Sequence, residues 1–125
     1  MKLSIIMPVF NEQHTIEKVI AEVQRQDMDK EIIIVEDYST DKTKEILQKY
    51  AGIKGINIVG YDLLDSNVEF LKSGIISFII GQRPEEQSYK GIRKLFEFLS
   101  FNKIPERIEY LPVDIITSEN VNYFL

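Results

Sequence analysis

The sequence predicts an α/β fold, a three-layer αβα sandwich built on a mostly parallel open sheet of four to five strands. Three observations lead there. Short apolar runs recur along the chain, turn or cap residues follow most of them, and the segments between carry apolar residues at helical spacing. Strands that alternate with helices in this way pair in parallel through right-handed crossovers.

The first run is Leu3-Ser4-Ile5-Ile6-Met7, stopped by Pro8; Ile16, Val19, Ile20 and Val23 then recur at the i, i+3, i+4, i+7 spacing of a helix face. Ile32-Ile33-Ile34-Val35 is apolar on both faces, as a central parallel strand is when helices cover each side. Asp37, Ser39, Thr40 and Asp41 supply turn and cap groups, and Thr43, Ile46, Leu47 and Tyr50 mark a second helical stripe.

Ile56-Asn57-Ile58-Val59 predicts a third strand. Ser66, with Glu69 three residues later, has the form of a capping box opening a short helix that Gly74 ends. Ile75 to Ile80 is the most apolar run and the fourth strand. From Pro84 to about Asn102 the spacing predicts a further helix, with Ile92, Leu95, Phe96 and Leu99 on one face as a core stripe. Phe98 or Phe101, left outside that stripe, would favour self-association. Ile108-Glu109-Tyr110-Leu111 is expected as a fifth strand, and Val113 to Thr117 as an edge segment or extended tail after Pro112, with a last helical turn near Tyr123. The topology is Rossmann-like or flavodoxin-like. Its strand order stays open between 1-2-3-4 and 2-1-3-4, and only the second creates a switch-point crevice.

At 125 residues the chain is one domain, 1–125, large enough for one core and too small for two lobes with a cleft between them. No apolar run approaches the roughly 20 residues of a membrane helix, and the quickly interrupted start is not a signal peptide. The absence of cysteine removes disulfides and thiolate metal sites and fits a reducing, cytoplasmic setting. A net charge of −5 gives no attraction for nucleic acid or anionic lipid.

Ser4-Ile5-Ile6-Met7-Pro8-Val9-Phe10-Asn11-Glu12 and Glu31 to Thr43, which includes Glu36-Asp37-Tyr38-Ser39-Thr40-Asp41, resemble the start of the inverting family 2 glycosyltransferases. The resemblance covers residues 3 to about 50. It implies that the loop after the first strand and the acids after the second hold the nucleotide of a sugar donor, with contacts from Pro8, Phe10, Glu12 and Asp37.

From about Ile56 onward the text changes. Gly60-Tyr61-Asp62-Leu63-Leu64, Ile80-Gly81-Gln82-Arg83-Pro84-Glu85-Glu86-Gln87 and Tyr110 to Thr117 look like the last third of a sugar-binding protein of the periplasmic and lactose-repressor type. That likeness implies sugar contacts for Asp62 and Gln82, in a cleft that needs a second lobe. The economical expectation is a chimera, natural or designed, joined between about Lys49 and Ile56, because both parents share the local βα geometry.

A transferase of this family is expected to carry a metal-binding Asp-x-Asp on its next strand and an acceptor half. After Tyr50 the sequence has no Asp-x-Asp. The expected function is therefore a scaffold without catalytic residues, cofactor or metal. The alternatives are a weak nucleotide-sugar or sugar binding module and an inactive transferase fragment, as a monomer or weak homodimer.

Plainer readings apply elsewhere. His14, the only histidine, is expected to be solvated or capping. Tyr38-Ser39-Thr40-Asp41-Lys42 lacks the glycines of a phosphate loop and reads as helix capping. Arg83 is expected to be solvated.

Overall fold

The structure, a computed structural model, describes residues 2–125. It is the expected α/β arrangement, a mostly parallel five-stranded sheet flanked by helices. In chain order the elements are β1 (Leu3–Val9), α1 (Ile16–Arg25), β2 (Lys30–Glu36), α2 (Thr43–Gln48), β3 (Ile56–Tyr61), α3 (Asp65–Lys72), β4 (Phe78–Gly81), α4 (Pro84–Phe101) and β5 (Asp114–Ile116), followed by a 3-10 turn at Val121–Tyr123.

The strand order is β1-β2-β3-β4-β5, with the first four strands parallel and β5 antiparallel to β4. Ile5 stands opposite Ile32, Ile34 opposite Ile58, and Tyr61 opposite Ile80. Each of the first three crossovers steps in the same direction across the sheet. Right-handed crossovers of one direction put α1, α2 and α3 on one face, and the packing agrees. Ile16 and Ile20 of α1, Leu47 of α2, and Val68 and Leu71 of α3 share one buried cluster with Val9, Ile32, Ile34, Ile58 and Ile79 of the strands.

The alternation of side chains identifies the two faces of the sheet. Along β2, Ile32, Ile34 and Glu36 are buried while Ile33 and Val35 are half-buried. On β1 the same alternation leaves Ile6 67% exposed. A straight order has no reversal among β1 to β4, so the open question of topology resolves to 1-2-3-4, without a switch-point crevice among these strands.

Four expectations are corrected. Ile108 to Leu111 forms no strand. Glu109 is instead ion-paired to Lys90 and Lys94, so this stretch runs back along α4 and not along the sheet. The edge of β4 goes to Asp114–Ile116, the expected edge segment, because Gly81 leaves room on the core face. A Cβ at Gly81 would lie 2.7 Å from Ile116 Cδ1.

The fourth strand is shorter than its apolar run. Ile75 and Ile76 both donate their N–H groups to Phe70 O, closing the end of α3 around Gly74, whose φ is +77°. Ser66 does not cap α3. The helix starts two residues earlier than that cap would set it, at Asp65 with Leu64 as its N-cap, and the Ser66 hydroxyl accepts a hydrogen bond from Lys44 Nζ at 2.8 Å. Finally, α4 buries no residue at all, and its stripe Ile92, Leu95, Phe96 and Leu99 faces solvent. Periodicity identified the helix correctly, but amphipathicity alone does not supply a surface for the stripe to rest on.

Candidate functional site

The carboxyl ends of β1 to β4 gather on one edge of the sheet, and the chain leaves three of them through left-handed turns at Asn11 (φ 54°), Tyr38 (φ 58°) and Asp62 (φ 64°). Asparagine and aspartate adopt this conformation at modest cost; tyrosine does so rarely.

The loops after β1 and β2 are fastened to one another. Asn11 N donates to Ser39 Oγ at 3.0 Å, Glu12 N to Thr43 Oγ1 at 2.8 Å, and Gln13 N to Asp41 Oδ2 at 3.2 Å. In return Thr40 N donates to Asn11 Oδ1 at 2.8 Å and Lys42 N to Gln13 Oε1 at 3.2 Å. Asp41 also accepts from the Thr43 N–H and hydroxyl. Burial is the largest influence on the Asp41 carboxyl and pushes its pKa up, but hydrogen bonds from Thr43 and Gln13 together outweigh it and hold the group below the ordinary aspartate range. The expected capping role of this segment is thus extended. Its polar groups fasten one loop to the next as well as opening α2.

Below this clasp sits Glu36, the first of the two acids that the resemblance assigned to the donor nucleotide, and the structure buries it. Glu36 is 2% exposed, accepts the Ser39 N–H at 2.5 Å through Oε1, and faces Lys44 Nζ at 3.6 Å through Oε2. Next to it across Gly60, the fully buried Asn67 donates to Tyr61 O at 2.8 Å and Asp62 O at 3.0 Å. Two carboxyl-end turns are therefore held from inside the core. The only advance signal of this burial was a charged residue, Glu36, at the end of an apolar strand run.

The six residues proposed as contacts fall into separate places. Pro8 and Glu12 share a shallow hollow of about 190 Å³ with Met7 and Thr15, and the Glu12 carboxylate accepts a hydrogen bond from the Thr15 hydroxyl. Phe10 is exposed just beyond β1. Asp37 follows β2 with its side chain exposed and its N–H bonded to Val9 O at 3.0 Å. Asp62 and Gln82 meet in a larger pocket of about 650 Å³ at the ends of β3, β4 and β5. Gln82 Nε2 donates to the Tyr61 hydroxyl there.

That pocket adds two residues that the sequence reading had not placed in it. Arg83 is not merely solvated. Its guanidinium makes a two-point contact with Asp114, which closes one wall. His14 is exposed, as expected, and its Nε2 lies 3.0 Å from Gln13 Nε2 in a separate hollow with Lys42 and Lys49. Among the described residues no three of histidine, cysteine, aspartate and glutamate converge as metal ligands. The Asp-x-Asp at Asp27-Met28-Asp29 stands at the amino end of β2, on the opposite edge of the sheet.

Residues 4–67 match the family described as Glycosyl transferase family 2, slightly more than half of the sequence. The chain belongs to that family. In this family 2 chain the match runs through β3 into α3, past the join expected between Lys49 and Ile56. Among curated proteins the chain is 50% identical over 48 residues to GalNAc(5)-diNAcBac-PP-undecaprenol beta-1,3-glucosyltransferase of Campylobacter jejuni, covering 38% of this chain and 16% of that protein. It is 38% identical over 53 residues to poly(ribitol-phosphate) beta-N-acetylglucosaminyltransferase TarS of Staphylococcus aureus, covering 40% of this chain and 9% of that protein. The chain thus spans less than a fifth of either relative.

Two solved structures resemble nearly the whole family 2 chain in fold. A putative LacI transcriptional regulator from Bacteroides fragilis superposes with a TM-score of 0.62 at 23% identity, over 98% of this chain and 54% of that one. GanP, a glucose-galactose binding protein from Geobacillus stearothermophilus, gives 0.64 at 14% identity, over 95% and 55%. The transferase likeness is thus present in sequence, and the periplasmic-binding and LacI-type likeness in fold alone, over nearly the whole chain and not only from Ile56 onward. Among the described residues no helix is long and apolar enough to cross a membrane.

Proposed function

We propose that this chain is an α/β scaffold without glycosyl transfer of its own, in which a family 2 nucleotide-binding start and a sugar-binding-protein-like second half share one core. The observation that carries this reading is the separation of the strand-end groups. Pro8 and Glu12 open to one hollow, Asp62 and Gln82 to another, and the straight strand order provides no crevice to unite them. The acids nearest a donor position also serve the protein itself, since Glu12, Glu36 and Asp41 all accept intramolecular hydrogen bonds. Where the family resemblance calls for Asp-x-Asp, β3 ends in Gly60-Tyr61-Asp62. Incubation of the purified chain with uridine and guanosine diphosphate sugars should release no nucleoside diphosphate above a buffer control. Turnover that depends on Asp37 overturns the reading.

The pocket at the ends of β3 to β5 favours a second reading, a binding module for a small sugar. Its volume of about 650 Å³ lies in the range of ligand sites, and it alternates donors and acceptors, Gln82, Arg83, Asp62 and Asp114, beside the ring of Phe124. Isothermal titration with pentoses, hexoses and nucleotide sugars decides it. Saturable heat that is lost in Asp62→Ala establishes binding, and flat titrations leave the scaffold alone.

A further inference from the structure

Two apolar surfaces of this chain lie open. One is the α4 stripe, where Leu99 is 72% and Leu95 58% exposed. The other is the sheet face opposite α1 to α3, which carries Ile6, Ile33, Val35, Phe78, Ile80 and Ile115. Ile33, Val35, Phe78 and Ile80 are half-buried and Val59, between Val35 and Phe78, is buried, while Ile6 and Ile115 at the edges are exposed. A helix stripe and a sheet face are the two halves of an α/β layer contact, and here each lacks its partner.

The total area makes the same point. A folded monomer of 14.6 kDa should expose about 6,900 Å² by the usual scaling of surface with mass. This chain exposes 8883 Å², an excess of about 2,000 Å² over that scaling. A stable interface takes about 800 Å² from each partner and obligate homodimers take more, so the excess is of the size that dimerisation removes. Dimensions agree as well. The 18 residues of α4 span about 27 Å, enough to cross a five-stranded sheet about 19 Å wide.

Most charges of α4 lie off the stripe. Glu86 pairs with Lys90, Arg93 with Glu97, and Lys90 and Lys94 with Glu109, which gathers the ionic groups on the side of the helix that faces the return segment. The stripe from Ile92 to Leu99 can be dried without stranding a charge, while Glu85, two turns earlier on the same side, stays at the end of the contact.

We propose that the occupant of each surface is a second copy of this chain, with α4 of one copy seated on the open sheet face of the other in a closed, two-fold dimer. In such an isologous pair the helix-to-sheet contact is made twice, which is why one chain carries both surfaces.

Sedimentation equilibrium on the full chain tests this. The wild type should be a dimer, and a monomer at every concentration to 100-fold above the lowest overturns the proposal, as does open-ended association. A helix variant, Leu95→Glu with Phe96→Glu, and a sheet variant, Ile6→Lys with Ile115→Lys, should each be monomeric and keep the wild-type far-ultraviolet circular dichroism. A dimeric sheet variant would mean that α4 pairs with α4, and overturns it. Mixing the two variants should restore a dimer, because one intact helix then meets one intact sheet face; a mixture that stays monomeric overturns it.

A second measurement does not depend on disruptive variants. The chain has no cysteine, so Leu95→Cys mixed with Ile6→Cys under mild oxidation should give the mixed disulfide. A product containing only the Leu95→Cys homodimer overturns the arrangement.

Discussion

Arg83 and Asp114 hold each other at two points, Nε to Oδ2 at 2.7 Å and Nη2 to Oδ1 at 2.8 Å, and thereby tie the start of α4 to the start of β5. The contact spans 31 residues of sequence. It anchors the one strand that runs antiparallel and one wall of the pocket at the sheet's carboxyl edge.

The Arg83 hydrogen bonds hold the Asp114 carboxyl below the ordinary aspartate range, against burial, and the guanidinium charge adds to them. A carboxyl depressed in the folded state contributes stability above its unfolded pKa of about 3.9 and loses it as pH falls through the folded value. Asp114→Asn should therefore speed amide exchange of β5 several-fold at pH 7, with the difference from wild type shrinking below about pH 4. Exchange followed by mass spectrometry at pH 7 and pH 3 measures both limbs, after correction for intrinsic rates.

Asn67 holds the turn after β3 by donating to the carbonyls of Tyr61 and Asp62. Asn67→Ala leaves both acceptors without this donor in the core and should cost about 1–3 kcal/mol in urea unfolding. Asn67→Asp should cost more at neutral pH, because an oxygen then faces the carbonyls where an amide nitrogen stood.

Gly60 lies where Asn67 crosses the sheet. A Cβ there would stand 3.2 Å from Ile76 Cδ1 and 3.3 Å from Asn67 Cγ, with both neighbours buried. Gly60→Ala should lower stability by about 1–3 kcal/mol through overpacking, whereas Gly91→Ala, which meets nothing on the exposed side of α4, should stabilise by up to about 1 kcal/mol through helix propensity. Paired thermal melts give the opposite signs directly.

Glu36 and Lys44 form a buried pair in which the carboxylate is 2% and the ammonium group's side chain 11% exposed. Lys44→Met leaves the carboxylate without its cation and should destabilise by about 3 kcal/mol. Adding Glu36→Gln should recover part of that loss, so a double-mutant cycle is expected to show clear non-additivity.

Much of this architecture was legible from side-chain periodicity, because burial on one face imposes a pattern on any strand or helix that packs. The runs at Leu3 to Met7, Ile32 to Val35 and Ile56 to Val59, and the stripe at Ile16 to Val23, became the elements they predicted, and the stripe from Thr43 became α2, which ends at Gln48 short of Tyr50. The family was legible too, since the Pro8 to Glu12 and Glu31 to Thr43 segments lie within the matched residues.

Pairing was not legible. Ile108 to Leu111 and Asp114 to Ile116 have similar strand character, and what separated them was Gly81 admitting Ile116 while Lys90 and Lys94 drew Glu109 away. Strand order, the burial of Glu36 and Asn67, and the open α4 stripe likewise depend on which surfaces meet. A sequence fixes the face that each element offers through the chemistry of its own residues. Which face receives it depends on contacts between residues far apart in the chain, and these exist only once the sheet has assembled.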